Sequence, residues 1–285
     1  MKIQKKNSKF RRYKLFIGVQ NIVNIQKIVL LLLLFYLHSH SITTAQTVYP
    51  DSVVPNNAFR SGEVLKYEAR YGFIKGGEVT LSVQLFPHGG SFLYHSKAVA
   101  STAGIADNFF TIRDVYESYF DINTGLPLVA VRNVQEENYL RFNEVRFFRQ
   151  KNTLVSMRKG ERSASDSILD IVSAFYFARS FLFHTIEKNQ IIDLEIYLDD
   201  EFYSIQVKMN GYEKVRTEFG KLRCLRFGPV IREGGIFEKE KDLKIWFTDD
   251  ENYIPVKIHV AVTAGTLKLE LVECKGLKNS LEILK

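Results

Sequence analysis

The feature that most constrains this 285-residue chain is a series of short segments in which apolar and polar side chains alternate. In Glu78–Leu85, for example, Val79, Leu81, Val83 and Leu85 fall on one face. A period of two is typical of a β-strand with one buried face. About a dozen such segments, mostly separated by short turns, predict an antiparallel sheet that curls on itself. The segments are Glu63–Tyr71, Glu78–Leu85, Phe92–Ser101, Val115–Phe120, Leu128–Gln135, Leu140–Arg149, Thr153–Met157, Ile191–Leu198, Phe202–Met209, Val215–Phe219, Leu222–Pro229, Leu243–Thr248, Val256–Val262 and Leu267–Glu273.

One segment interrupts the alternation. Ile168–Phe183 follows a candidate cap at Asp166-Ser167, and its apolar side chains spread over most of a helix surface. A helix that is apolar nearly all round is buried on more than one side. We therefore expect a helix that lies across the concave face of the sheet and closes its core, with a mobile lid over a ligand cavity as the alternative. The predicted fold is mainly β: a curled antiparallel sheet, half-barrel or open barrel, with one buried central helix.

Residues 1–45 differ from the rest of the chain in charge. They hold eight of the 39 basic residues and no acid, and they contain the apolar run Ile28–Leu37, which is followed by Thr43-Thr44-Ala45. This order is typical of a secretory signal peptide, and we predict cleavage after Ala45. A permanent membrane anchor is the alternative, but the run has half of the roughly 20 apolar residues that a spanning helix needs. The mature protein is then expected to be soluble and exported, in the periplasm or associated with the outer membrane.

The remaining residues are nearly neutral, with 31 basic and 32 acidic side chains. A nucleic-acid partner requires a basic patch on the folded domain, so the charge distribution excludes that class. We predict a linker at 46–58, a single β-rich domain at 59–276 and a C-terminal tail at 277–285, with no membrane span in the mature chain.

No motif for catalysis, cofactor binding or metal binding is apparent. There is no Gly-x-Ser-x-Gly elbow, and the acids of Asp199-Asp200-Glu201 fall in a predicted turn, where they are expected to bind the backbone. We therefore predict no catalytic residue, no cofactor and no metal site. The histidines that follow the signal peptide lack metal-ligand spacing: His88, His95, His184 and His259.

The two cysteines, Cys224 and Cys274, lie in predicted strands. An oxidising compartment permits a disulfide between them if their Cα atoms lie within about 7 Å. Two buried free thiols are an equal alternative.

Aromatic side chains are concentrated in the middle of the chain and on the predicted helix. A curled sheet needs bulky side chains to fill its concave side, so core packing explains most of them. Where the filling is incomplete, the same surface becomes an apolar groove for an acyl chain. The residues predicted to line such a groove are Phe175, Phe177, Phe181, Tyr119 and Trp246.

Two hairpins share a local pattern. Asp121 and Asp249 each end a predicted strand, and Pro127 and Pro255 each begin the next strand six positions later. An Asp is able to bind the turn backbone, and Pro is tolerated at the first position of a strand.

Four stretches, in this order, resemble the bacterial exported family known as domain of unknown function 3108: GEVLKYEARYGFIKGGEVTLSV, RDVYESYFDINTGLP, ILDIVSAFYFAR and KIWFTDDENYIPVKIHVAVTAGTLKLEL. The resemblance covers about residues 59–274 and implies a periplasmic or envelope protein without established activity, so it assigns no catalytic residue. The hairpins are similar, more weakly, to the half-barrel carriers of outer-membrane lipoproteins and to the related sigma-factor regulators. In that architecture a curled sheet wraps a hydrophobic groove that helices close.

The expected function is non-enzymatic binding of a hydrophobic or amphipathic, lipid-like ligand in the concave face. One alternative is an interaction module for another envelope protein or the cell-wall polymer. Another is an enzyme whose site converges from distant residues. A cavity beneath the helix would favour the first, a filled core with exposed apolar surface the second, and a polar cleft with a perturbed carboxyl group the third.

Overall fold

A computed structural model of the chain describes residues 55–230, 243–262 and 265–285. The predicted signal peptide lies outside the described residues, as does the linker up to residue 54. The strands are β1 (Glu63–Tyr71), β2 (Ile74–His88), β3 (Ser91–Thr102), β4 (Arg113–Asp121), β5 (Pro127–Glu136), β6 (Tyr139–Phe148), β7 (Thr153–Ser156), β8 (Gly160–Ser163), β9 (Ile191–Leu198), β10 (Glu201–Thr217), β11 (Gly220–Pro229), β12 (Leu243–Thr248), β13 (Pro255–Val262), β14 (Gly265–Lys275) and β15 (Ile283–Leu284).

All these strands belong to one sheet, in which two antiparallel meanders are joined side by side. The order is β8-β7-β6-β5-β4-β3-β2-β1-β14-β13-β12-β11-β10-β9, and β15 pairs separately with β11. β1 and β14 join the halves through pairs that include Leu65 with Cys274 and Ala69 with Leu269. The two end strands, β8 and β9, are consecutive in the chain, and the segment between them carries the helix.

The two hairpins with an Asp and a Pro form as predicted in outline. Pro127 begins β5 and Pro255 begins β13. In the first turn Asp121 accepts backbone hydrogen bonds from Asn123 and Thr124, at 2.9 and 2.8 Å. In the second turn Asp250, one residue after the expected Asp249, accepts the backbone hydrogen bond, from Asn252 at 3.0 Å.

The helix begins later than the sequence predicts. Helix α1 (Ile171–Phe177) continues through a π turn, Ala178–Leu182, and a 3₁₀ turn, Phe183–Thr185. Asp170, rather than Asp166-Ser167, caps it: its carboxylate accepts from the backbone N–H groups of Val172 and Ser173, and the Ser173 hydroxyl accepts from the Asp170 N–H. The residues before the cap are extended, and Leu169 forms a parallel bridge with Ile196 of β9.

The helical segment packs on the concave face of the sheet. Its contacts reach β3, β4 and β9 on the sheet. Six of the seven residues of α1 are buried, which is expected for a helix that is apolar nearly all round. The predicted fold, a curled open antiparallel sheet with one buried central helix, is confirmed.

Residues near both ends of the predicted domain, 59–276, pack against its core. Ala58 and Phe59 are 2% and 3% exposed, and Asn56 Oδ1 accepts a hydrogen bond from the Ser180 hydroxyl of the helical segment. At the other end Leu277 and Leu281 pack against the core, and β15 pairs with Lys221 and Leu222 of β11. The helices among the described residues are too short or too polar to cross a bilayer.

Candidate functional site

Three of the five predicted groove residues lie on the helical segment, in a packed core. Phe177 and Phe181 are 2% and 6% exposed, and their ring centroids are 5.0 Å apart. Both rings face Gly125 in the β4–β5 turn, whose φ is +69°; a Cβ there would lie 2.6 Å from Phe181. Phe175 is partly buried, and the guanidinium of Arg179 lies 5.2 Å from its ring centroid.

The other two predicted groove residues lie elsewhere. Tyr119 alternates with Ser118 and Phe120, whose side chains face the helix, so Tyr119 points to the opposite face. There its ring stacks on His95 with centroids 4.3 Å apart. Trp246 donates to Glu213 at 2.7 Å and contacts His259, whereas the next residue, Phe247, contacts the helical segment. Tyr119 therefore lies on the face away from the helix, whereas Trp246 is 8% exposed and belongs to the same core cluster as Phe177 and Phe181.

Aromatic rings pack closely beneath the helix around Phe59. The ring of Phe59 contacts those of Tyr94, Phe120 and Tyr176, with centroids 5.0, 6.4 and 4.6 Å away. The cavity beside the start of α1, lined among others by Tyr116, has a volume of about 30 Å³. This is the space of about one water molecule, and an acyl chain does not fit.

A buried ion pair fixes the helical segment to the sheet. Arg179 and Glu63 have fully buried side chains, and two hydrogen bonds of 2.6 and 2.9 Å join them. Arg179 also donates to the backbone carbonyls of Asn252 and Ala58, at 3.0 and 3.2 Å. The two opposite charges neutralise each other, and most N–H groups of Arg179 have an acceptor. We therefore interpret the pair as structural.

A second polar cluster joins the two ends of the curled sheet. We call it the seam; its residues are Arg132, Arg141, Asn143, Ser156, Arg158, Arg162, Tyr197, Asp199 and Asp200. The β9–β10 turn supplies the two aspartates, and β5 to β8 supply the arginines. Arg132 and Arg141 bind Asp199 at 2.7 and 2.8 Å. The β9–β10 turn therefore meets the other end of the sheet through side chains, and β8 and β9 do not pair with each other among the described residues.

Asp200 is the most enclosed member of the seam, at 1% exposure. It accepts hydrogen bonds from Ser156 and Asn143, at 2.5 and 2.8 Å, and an ion pair from Arg141 at 3.1 Å. Burial alone would raise the pKa of Asp200, but these bonds hold it below its ordinary value. Asp199 and Asp200 both have positive φ, 53° and 68°, a conformation that Asp tolerates in tight hairpin turns.

Two carboxyl groups next to the seam have raised pKa values. Burial raises the pKa of Asp114 to about 7, and the nearby Glu136 adds to this shift. Burial also raises the pKa of Glu136, while Arg132 opposes it. These groups form no metal centre, because the described residues contain no group of three His, Cys, Asp or Glu side chains able to hold a metal ion.

The cysteines are free thiols. Cys224 lies in β11 and Cys274 in β14, three positions apart in the strand order. Adjacent strands are about 4.8 Å apart, so this placement exceeds the reach of a disulfide. Burial raises the pKa of the Cys224 thiol to about 12, which makes it a poor nucleophile. Of the two alternatives that the sequence left open, the structure has the unpaired one.

One group of exposed apolar side chains lies at one end of the sheet. In a meander every second turn lies at the same end, so the turns β1–β2, β3–β4 and β5–β6 are neighbours. Backbone hydrogen bonds join them, from Ala103 to Gly76 at 3.2 Å and from Glu137 to Thr111 at 2.9 Å. We call the large apolar side chains of these turns the rim: Phe73, Ile74, Phe109, Tyr139 and Leu140, of which Phe73, Phe109 and Leu140 are 90%, 59% and 73% exposed.

Comparison with known proteins places the chain in a family. The family described as "Protein of unknown function (DUF3108)" matches residues 66–272, well over half of the chain. The chain belongs to this family. The match confirms the resemblance seen in the sequence. No curated protein matches the chain.

One solved structure agrees with the fold. A beta-barrel-like protein of the family DUF1849 from Brucella abortus superimposes with a TM-score of 0.51 at 10% identity, over 76% of this chain and 99% of that one. A DUF1089 family protein from Pseudomonas aeruginosa gives a TM-score of 0.37 at 12% identity, over 76% of this chain and 95% of that one. The first likeness supports the barrel-like fold of this DUF3108 member and nothing beyond the fold.

The sequence analysis missed the seam and the rim. The acids of the β9–β10 turn were expected to bind backbone, whereas Asp199 and Asp200 bind arginine side chains from β5 and β6. Phe109 lies in a loop at the end of the sheet and is 59% exposed. A usable signal was present, since Phe73 and Phe109 stand in or beside predicted turns and every second turn of a meander shares one end.

Proposed function

We propose that this protein is a non-enzymatic, exported envelope protein that binds an amphipathic lipid surface through its rim. The observation that carries the proposal is the set of three adjacent hairpin turns with large, exposed apolar side chains. The packed core beneath the helix does not favour the other form of this function, in which a lipid-like ligand is held in the concave face.

The shape of the rim favours a lipid layer over a folded protein partner. Its side chains stand on separate protruding tips, whereas anchors of protein interfaces cluster in a packed central patch. Tyr, which has an apolar ring and a polar hydroxyl group, is favoured where an apolar layer meets a polar one. Charged side chains lie just behind the tips: Arg70 beside Glu68, Lys75 beside Glu78, and Arg113 beside Asp107. In a lipid layer the apolar tips would contact the acyl chains, and the charged pairs behind them would lie at the level of the headgroups.

The expected affinity is modest. Inserting three large side chains that are already partly covered contributes about 4 kcal/mol in total, which corresponds to a dissociation constant of roughly 1 mM in lipid. Binding should therefore be reversible, and flotation at high lipid concentration is the suitable assay.

The test compares the mature protein, residues 46–285, with a rim variant on zwitterionic vesicles. The variant carries Phe73→Ser, Phe109→Ser and Leu140→Ser; the control carries Phe92→Ser, a 48% exposed residue at the opposite end of the sheet. We expect wild type and control to float with the vesicles and the rim variant to stay in solution. Equal flotation of all three proteins, or none for wild type, would contradict the proposal, and capture of an envelope protein instead would favour the interaction-module alternative.

A further inference from the structure

The seam has more basic than acidic groups. Four guanidinium groups, from Arg132, Arg141, Arg158 and Arg162, surround the carboxylates of only Asp199 and Asp200. Asp114 and Glu136 lie farther in, beside Arg132, and interact with each other. The charge that remains unmatched is on the outer side of the seam, at β6 and the β7–β8 hairpin.

The donors on this outer side are only partly used. Arg158 is 47% exposed, and its ion pair with Asp200 is 3.4 Å long. Arg162 donates to the backbone carbonyl of Asp200 at 2.7 Å and lies 4.8 Å from the ring centroid of Phe202; within the described part of the chain it forms no ion pair with a carboxylate. Arg141 Nε is buried without a hydrogen-bond partner among the described residues. An unsatisfied buried donor of this kind is a common sign of an absent water or ion.

Asp200 indicates which chemistry the seam accepts. Its carboxylate oxygens already receive bonds from Asn143, Ser156 and Arg141, so the surrounding donors are oriented towards anionic oxygen. Guanidinium groups bind oxyanions with several parallel N–H···O bonds. The arginines still outnumber the nearby carboxylates, which favours an anionic ligand, and three guanidinium groups suit a tetrahedral group with several free oxygens.

We propose that Arg141, Arg158 and Arg162 form a binding site for an oxyanion of the phosphate type. The site does not depend on the rim, although the two are connected: Arg141 Nη1 donates to the hydroxyl of Tyr139, a rim residue, at 3.1 Å. The phosphate is either free or part of a lipid headgroup.

The first experiment measures the binding of inorganic phosphate to the mature protein by calorimetry, with chloride at matched ionic strength as the reference. The test variant is Arg158→Gln/Arg162→Gln. The control is Arg146→Gln, an exposed arginine of β6 that pairs with Glu144 outside the seam. We expect the test variant to bind at least about tenfold more weakly, because it loses two charge-assisted contacts, and the control to bind as wild type does.

The second experiment identifies the source of the phosphate with anionic and zwitterionic vesicles. A preference of wild type for anionic vesicles that the Arg158→Gln/Arg162→Gln variant loses assigns a lipid headgroup. Phosphate binding without that preference assigns a free oxyanion. The proposed site would be overturned if the wild type neither bound phosphate nor preferred anionic vesicles. It would also be overturned if the control lost as much phosphate affinity as the test variant. The rim variant should bind neither type of vesicle and should still bind phosphate. The rim proposal and the phosphate-site proposal can therefore be refuted independently.

Discussion

At the scale of single residues, Arg179 connects separate segments of the chain. It binds Glu63 of β1 and the backbone carbonyls of Ala58 and Asn252 while fully buried. Spacing along one helix does not reveal that the partner of Arg179 lies 116 positions away in the chain. Arg179 and Glu63 stabilise the fold only when both charges are present, because a buried charge without its partner destabilises the folded state.

Arg179→Met should therefore lower the free energy of unfolding by about 3–5 kcal/mol, because it leaves the carboxylate of Glu63 buried and unpaired. The double variant Glu63→Gln/Arg179→Met should recover part of this loss. Denaturant unfolding of both variants, with Arg223→Met as an exposed control that should cost less than about 1 kcal/mol, checks the expectation. A single variant as stable as wild type would show that the pair contributes little.

Asp114 makes stability depend on pH. Its pKa in the folded protein is about 7, above the ordinary value of 3.8, so the folded state binds a proton more tightly than the unfolded state. The free energy of unfolding should then fall as the pH rises from about 4 to 7 and level off above that. Asp114→Asn keeps an oxygen for the Gln135 N–H and removes this contribution, so the variant should gain stability relative to wild type at pH 8 more than at pH 5.

Urea unfolding of wild type and Asp114→Asn at the two pH values measures this difference. The exposed Asp166→Asn serves as control and should change stability equally at both. A constant difference between wild type and Asp114→Asn across pH would contradict the assigned shift.

At the scale of elements, the strands were largely predictable and the helix start was not. Alternation located most strands, because one face of each is buried over the concave core. The sequence analysis placed the cap at Asp166-Ser167, but the cap in the structure is Asp170. Asp170 takes the role because the extended residues before it pair with β9, where Leu169 bonds Glu195 and Tyr197 through the backbone. Such tertiary pairing is invisible to a local pattern.

Asp170→Ala should cost about 1–2 kcal/mol of stability, since it removes the cap and the partner of the Ser118 hydroxyl, 2.6 Å away. Asp170→Asn should cost less, because its amide oxygen still caps the helix. Thermal or denaturant unfolding ranks the variants. Equal losses in Asp170→Ala and Asp170→Asn would mean that charge, and not capping, is what Asp170 supplies.

At the scale of the whole molecule, the sequence predicted a curled sheet but not how its ends meet. Charged residues in short turns carry little information about distant partners. The structure closes the curl with the seam, in which Asp200 of the β9–β10 turn binds side chains of β6 and β7. Composition indicated an aromatic-rich interior without revealing how its rings pack, as those of Phe59, Tyr94 and Tyr176 do.

Asp200→Asn should loosen this closure while leaving the turn conformation accessible, because Asn also tolerates positive φ. We expect faster amide hydrogen exchange in Thr153–Ser156, Gly160–Ser163 and Ile191–Leu198, with Glu63–Tyr71 unchanged. Asp249→Asn, which loses an ion pair with Arg223 away from the seam, is the matched control. Uniform exchange across the sheet in both variants would show that the seam does not hold the two ends together.

The central claim is that the rim inserts into a lipid layer, and tryptophan quenching tests it most directly. Trp246, the single tryptophan, is replaced by Phe, and new reporters are placed by Phe73→Trp at the rim and, in a second protein, by Phe92→Trp at the opposite end. With vesicles whose acyl chains carry bromine, we predict quenching and a blue shift for the rim reporter and neither for the other. An unquenched rim reporter under conditions where the protein floats with vesicles, or equal quenching of both reporters, would contradict the account.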